Sequence, residues 1–188
     1  MTVEVHENVL SLSDYQDLED WVASDKCAWY FSPHHLESKL NPKEPNLWHF
    51  THSVFDDRQT PIIHGGMQGD SSNLSQWNSD SEKLHEPVIN FIEKTYSTCQ
   101  MIRCKANLYT NQNSKVHYRD HVDQERYNAD ELLIAILSIG ESNGGTVIGD
   151  TFYPSQKNQL IVFGNVPHHG VSQSDSQTRI CINYNFER

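Results

Sequence analysis

From residue 101 to its end the chain is written in short apolar runs separated by turn residues, with no helical period in any of them. Ile102, Cys104, Ala106 and Leu108 alternate with Arg103, Lys105 and Asn107, which predicts a half-buried strand. Leu132 to Ser138 is a continuous apolar run short enough for a buried strand. Asn143-Gly144-Gly145 predicts a turn ahead of a strand at Thr146-Val147-Ile148. Gln159 to Phe163 and Arg179 to Phe186 complete the set. Short strands with turns between them restrict this region to a sandwich or a barrel-like jelly roll.

The helical signals come earlier. Ser13-Asp14-Tyr15-Gln16 reads as a capping box, and Tyr15, Leu18, Trp21 and Val22 follow at helical spacing, so 14–24 is predicted to be an amphipathic helix. A second helix is predicted from Pro87 to Tyr96, with Val88, Phe91, Ile92 and Thr95 on one face and Pro87 in the first turn. Residues 81–86 extend it backwards through a kink. Between the helices, 33–80 is rich in Pro, Gly, Asn, Ser and aromatic residues with little periodicity. Such a stretch is a functional loop set, a lid, or a series of short strands.

A length of 188 residues suits one well-buried core and is too small for two ordinary domains. The expected organisation is one domain over 1–188, with 1–100 as a helical and loop support and 101–188 as the jelly-roll core. A hydrophobic content of 36% with four Trp, eight Tyr and seven Phe belongs to a folded chain rather than a disordered one. No apolar run nears the roughly 20 residues needed to cross a bilayer. The start MTVEVHENVL lacks the basic and apolar blocks of a signal peptide. A cytoplasmic location with no membrane partner is therefore expected. Cys27, Cys99, Cys104 and Cys181 form no Cys-x-x-Cys and read as reduced, buried thiols.

The net charge of −11 is uneven: residues 1–100 carry 16 acidic and 6 basic side chains, and 101–188 carry 9 and 8. Such a chain repels a phosphate backbone and contains no Lys/Arg cluster, which argues against a nucleic-acid partner. The acidic surface is expected to serve solubility.

Within the strand-rich region, His121-Val122-Asp123 is predicted to lie on one strand, where alternate residues share a face. His121 and Asp123 then project together, and a second histidine, His168 or His169, arrives from a distant segment. Two imidazoles and one carboxylate hold a metal ion on one face and leave the opposite face open, the arrangement of non-heme Fe(II) oxygen chemistry. The tripeptide alone is weak evidence, since this composition yields roughly 0.8 His-x-Asp by chance. Its company strengthens it: a strand context, a Gly-Gly turn, a later histidine, and Arg179 beyond. An arginine there offers paired N–H donors to an anionic organic co-substrate; otherwise it is a surface ion pair near the chain end. His117 and His34-His35 are read as solvated or packed histidines rather than further metal ligands.

The stretches ANLYTNQNSKVHYRDHVD, ESNGGT and QLIVFGNVPHHGVSQSDSQTRICINYNF resemble the 2-oxoglutarate/Fe(II)-dependent oxygenases, most closely the prolyl-4-hydroxylase-like branch and its small phage-type members. The resemblance spans 101–188 well and 13–100 only in general layout. It implies a mainly β fold with N-terminal helices, a double-stranded β-helix or jelly roll. It also implies Fe(2+), 2-oxoglutarate as co-substrate, O2, hydroxylation of a C–H bond, and release of succinate and CO2. Carried over by position, His121 and Asp123 are the first two ligands. His168, 11 residues before Arg179, gives a His-x-Gly-x-Ser pattern like the phage-type members; His169, 10 before it, gives a His-x-Val pattern like other branches. His168 is the expected ligand and His169 the alternative, as orienter or bystander. Arg179 would grip the distal carboxylate of 2-oxoglutarate, with Tyr109 and Asn107 in the same pocket, and no catalytic residue is expected beyond the metal ligands.

Two departures stand out. LLIAILS lacks the tyrosine that several hydroxylases use for the co-substrate, and Cys181 stands where Ser or Thr often follows the arginine. The resemblance implies a protein or peptide side chain, prolyl-type, as substrate, with a small molecule next, and residues 44–77 as its rim. Two other readings stay open: a cupin-like metal enzyme without 2-oxoglutarate, which needs no Arg179, and a non-catalytic jelly-roll binding module.

Overall fold

The computed structural model describes residues 2–32, 47–57, 76–77, 81–97 and 100–188. In chain order the elements are β1 (Glu4–Glu7), α1 (Leu12–Val22), β2 (Tyr30–Ser32), β3 (His49–Asp56), β4 (Gln76–Trp77) and α2 (Glu82–Tyr96). There follow β5 (Gln100–Thr110), β6 (Leu132–Ile139), β7 (Ser142–Ile148), β8 (Thr151–Ser155), β9 (Gln159–Gly164), β10 (His168–Val171) and β11 (Thr178–Glu187). The larger sheet runs β1-β9-β6-β11-β5-β3-β2, with β4 against β3, and the smaller runs β10-β7-β8. Neighbouring strands are antiparallel. The fold is mainly β with helices ahead of the strand-rich half, as in a jelly roll.

The larger sheet buries both of its faces. On one, Cys104, Ala106, Leu133, Ala135, Leu137, Ile182 and Tyr184 pack with Leu18, Trp21, Val88 and Ile92 of the helices. On the other, Ile134, Ile136, Ile161, Phe163, Cys181 and Tyr109 form the jelly-roll interior with Ile148 and Tyr118. Strand β6 lies between β9 and β11 and is buried along its whole length, which is why its sequence is continuously apolar.

A bulge sets which side chains reach the interior. Asn185 lies opposite Arg103 and Phe186 opposite Met101, leaving Ile102 as the extra residue. Met101 therefore shares the helix face with Cys104 and Ala106, while Ile102 joins the inner cluster. Beyond the bulge, the polar members of the predicted alternation do not face open water. Asn107 is buried and Lys105 half-buried, in the same row as Tyr109.

The first helix differs from expectation at its start, whereas the second carries the expected backward extension. α1 begins two residues early because Ser11, not Ser13, is its cap: the Ser11 Oγ accepts the Asp14 N–H at 3.2 Å. Gln16 turns instead to Glu19 and Asp20. α2 starts at Glu82 and runs through Pro87, its buried His85, Val88 and Ile92 keeping the helix in place despite the missing amide donor. Trp21 meets the rings of His52 and His85 edge-on at 5.5 and 5.3 Å. The His85 Nδ1 lies 2.8 Å from the Tyr184 hydroxyl. Burial, and then the nearby His52, pull the His85 pKa down to about 3.

Gly144 and Gly145 sit inside β7 rather than in a turn, at a register shift between Ser142 and Gly145. They are glycines because neighbours come too close for a side chain. A Cβ on Gly144 would stand 2.9 Å from the Arg179 Cδ and 2.8 Å from the Val171 carbonyl. Cys27, Cys104 and Cys181 are buried free thiols; Cys99 lies outside the described residues. Part of the 33–80 stretch forms β3, whereas most of the expected rim over 44–77 lies outside the described residues. Among those residues no helix is long and apolar enough to cross a membrane.

Candidate metal centre

The predicted strand for His121-Val122-Asp123 is absent. Residues 111–131 run from β5 to β6 as an irregular polar segment, attached to β10 by isolated bridges at His117↔Val171 and His121↔His168. The run is rich in Asn and Asp, whose side chains compete for the backbone and offer no apolar face to hold a strand. The histidine pair belongs to a strand that the sequence did not announce, β10, only four residues long.

The side chains converge nonetheless. The Nε2 atoms of His121 and His168 lie 3.6 and 3.7 Å from the Asp123 Oδ1. The ligand atoms of all three fall within 4.8 Å of one another, the one such group of three or more among the described residues. Each ring is fixed through its far nitrogen: His168 Nδ1–H donates to the Val166 carbonyl at 2.9 Å, and His121 Nδ1–H to the Arg119 carbonyl at 3.3 Å. That tautomer leaves both Nε2 lone pairs pointing at the common centre. Phe163 packs edge-on against His168 at 5.0 Å.

Asp123 is held just as firmly. Its Oδ2 accepts Nδ2–H groups from Asn183 at 2.8 Å and Asn185 at 2.6 Å, so Oδ1 is the oxygen left for an ion. Its backbone N–H donates to Asn165 Oδ1 at 3.1 Å, and the Asn165 amide donates to the carbonyls of Gln124 and Tyr127. Burial would raise the Asp123 pKa, but the imidazoles of His121 and His168 and the guanidinium of Arg103 hold it well below the usual carboxylate range. Burial lowers the His168 pKa against the pull of Asp123. An ionised carboxylate is the form in which Asp123 binds a cation.

His169 faces the other way. Its Nδ1 lies 2.7 Å from Asp120 Oδ1 and its Nε2 3.2 Å from His117 Nδ1.

Deeper in the interior, Arg179 is almost wholly buried. Its Nε donates to Ser155 Oγ at 2.7 Å and its Nη2 to Thr146 Oγ1 at 3.3 Å, and its guanidinium lies over the Tyr109 ring at 5.0 Å. Nη1 is buried without a partner. Tyr109 also stacks on His49 at 5.4 Å and meets Tyr118 edge-on. Asn107 lies opposite Cys181 across the β5–β11 pair, two residues from the Arg179–Tyr109 pair. Lys105 lies opposite Asn183, and burial lowers its pKa to about 7, aided by Arg103 and opposed by Asp123.

Sequence reasoning missed Asn165, Asn183, Asn185, Ser155 and Thr146. The alternate asparagines of the last strand, Asn183 and Asn185, were the available signal, since two amides in a strand interior need a buried acceptor.

Solved structures share the jelly-roll fold that carries this His-Asp-His group and buried arginine. A 2OG-Fe(II) oxygenase family oxidoreductase from Burkholderia pseudomallei is similar over 98% of this chain and 85% of its own, at 13% identity and a TM-score of 0.66. The viral collagen prolyl hydroxylase of Paramecium bursaria Chlorella virus-1, solved with 2OG, is similar over 100% and 97%, at 13% identity and a TM-score of 0.56. A Pseudomonas putida prolyl-4-hydroxylase is similar over 99% and 92%, at 13% identity and a TM-score of 0.57. No family model matches the sequence, and no curated protein does.

Proposed function

We propose that the protein is a 2-oxoglutarate- and O2-dependent Fe(II) dioxygenase that hydroxylates a C–H bond, releasing succinate and CO2. The observation that carries this reading is a buried guanidinium whose Nη1, with both of its N–H groups, has no partner, on the interior that also holds a group of two histidines and an aspartate. A buried donor without an acceptor is costly, and a carboxylate reaching Arg179 removes that cost. His121, Asp123 and His168 are the residues to hold the iron. Fe(II) with Asp123 carries +1, 2-oxoglutarate −2 and Arg179 +1, so the filled site is neutral and tolerates burial.

Bound iron supplies oxygen activation; the chain itself supplies binding, orientation and shielding. Arg179 grips the distal carboxylate, with Ser155 and Thr146 fixing its plane. Tyr109 covers the guanidinium, and Asn107 lines the same row. Asn183 and Asn185 keep Asp123 from turning both oxygens to the ion. The buried walls of Ile134, Ile136, Ile161 and Phe163 exclude water. For the substrate, the prolyl hydroxylases among the similar structures support a protein or peptide side chain of prolyl type, and one of them, from Trichoplax adhaerens, is solved with a peptide.

Anaerobic calorimetry with Mn(II) and then 2-oxoglutarate tests the reading. One Mn(II) per chain is expected, with 2-oxoglutarate binding only after it. An Arg179→Gln variant that still binds 2-oxoglutarate as tightly as the wild type removes the proposal and favours a metal enzyme with another co-substrate.

A further inference from the structure

The segment that carries the inner ligands also presents residues outward. His117, Asp120 and His169 lie on the opposite face of the same two backbone stretches. His117 is exposed, and the side chains of Asp120 and His169 are 68% and 15% exposed. Asp120 can only accept, so its 2.7 Å contact places the proton of His169 on Nδ1. On its other side the Nε2 of His169 stands 3.2 Å from the Nδ1 of His117. Two imidazole nitrogens bound at about 2.0–2.1 Å to one tetrahedral ion stand about 3.3 Å apart. A carboxylate behind the far nitrogen of a ligating histidine is the usual support of such a site.

We propose that His117 and His169 form a second metal site, taking an imidazole-preferring dication such as Zn(II), with Asp120 positioning His169 and water completing the coordination. The site's role follows from where its two halves sit. Residues 116–121 belong to no strand and are joined to β10 by a few backbone hydrogen bonds, among them Tyr118 N–H to the Gly170 carbonyl and His121 N–H to the His168 carbonyl. An ion bridging His117 and His169 staples this segment to β10 on the outside, and so fixes the spacing of His121 and His168 on the inside.

Zinc calorimetry and thermal melting of the whole chain test this. The wild type is expected to bind two Zn(II) per chain, and His117→Ala one. Asp120→Asn should retain the second site with affinity about 10–100-fold lower. Asp123→Ala should lose the other equivalent, so failure of the inner centre and failure of the outer one are read separately. The second equivalent should raise the melting temperature of the wild type and leave His117→Ala unmoved. With Co(II), the outer site should show the intense visible absorption of tetrahedral coordination, absent in His117→Ala. A single equivalent in the wild type, or a second one that survives His117→Ala, overturns the proposal.

Discussion

The two faces of the 116–123 and 168–171 backbone carry the same side-chain types, two histidines and an aspartate apiece, yet hold them in opposite ways. Inside, His121 and His168 direct Nδ1 to main-chain carbonyls, and Asp123 gives one oxygen to two asparagines. These partners are part of the scaffold, so the remaining ligand atoms converge within 4.8 Å of one another. Outside, Asp120, His169 and His117 bond one another in a row. The lesson is that an open coordination face is made by the supports behind the ligands, since residue identity is the same on both sides.

The sharpest way to break that comparison is to exchange the faces' losses. His121→Ala or Asp123→Ala should abolish Mn(II)-dependent 2-oxoglutarate binding and succinate formation, at least 100-fold down, whereas His169→Ala, compared with the wild type in the absence of Zn(II), should keep both within about threefold. Equal losses in the inner and outer variants would erase the distinction. Next in size, Arg179→Gln should lower 2-oxoglutarate affinity by about 2–3 kcal/mol, or roughly 100-fold, while Mn(II) affinity stays unchanged. Third, Asn183→Ala or Asn185→Ala should weaken Mn(II) binding about 10–100-fold with the melting temperature little altered; calorimetry on each variant reads this. No change in either would mean that Asp123 needs no backing.

The smallest effect concerns a third histidine. His85 is buried like His168, but its electrostatic neighbour is His52 rather than an aspartate. Its folded pKa of about 3 lies below the unfolded value of 6.5. Below pH 6.5 the unfolded chain therefore takes up a proton that the folded chain refuses, and stability falls as pH drops from 6.5 towards 3. Denaturant midpoints across that window should decline in the wild type and decline less in His85→Gln.

Strands whose burial is one-sided or complete were legible from pattern alone. β6 reads as a continuous apolar run, and β5 as an alternating one. β10 was not, because His168-His169-Gly170-Val171 is spent on chemistry rather than on an apolar face. β8 hid behind Pro154, tolerable because β8 ends the smaller sheet. The paired glycines mimicked a turn because crowding, like positive φ, excludes side chains, and one sequence cannot tell the two apart. Among the described residues the left-handed glycines are Gly140 and Gly149, flanking β7. For the centre, the order of His121, Asp123, a later histidine and Arg179 was readable, and only the resemblance favoured His168 over His169. That choice depends on strand register, which places His168 opposite His121.

β1 pairs with β9, and the Asn158 side chain clasps both the N–H and the carbonyl of Leu10. Residues 4–10 must therefore wait for residues 158–162 before finding their place. Meanwhile Leu18, Trp21 and Val22 have no sheet to lie against. Contacts this distant in sequence slow folding and prolong the interval in which such surfaces can meet other chains. Expression at reduced temperature or with a holdase present should accordingly raise the yield of folded protein.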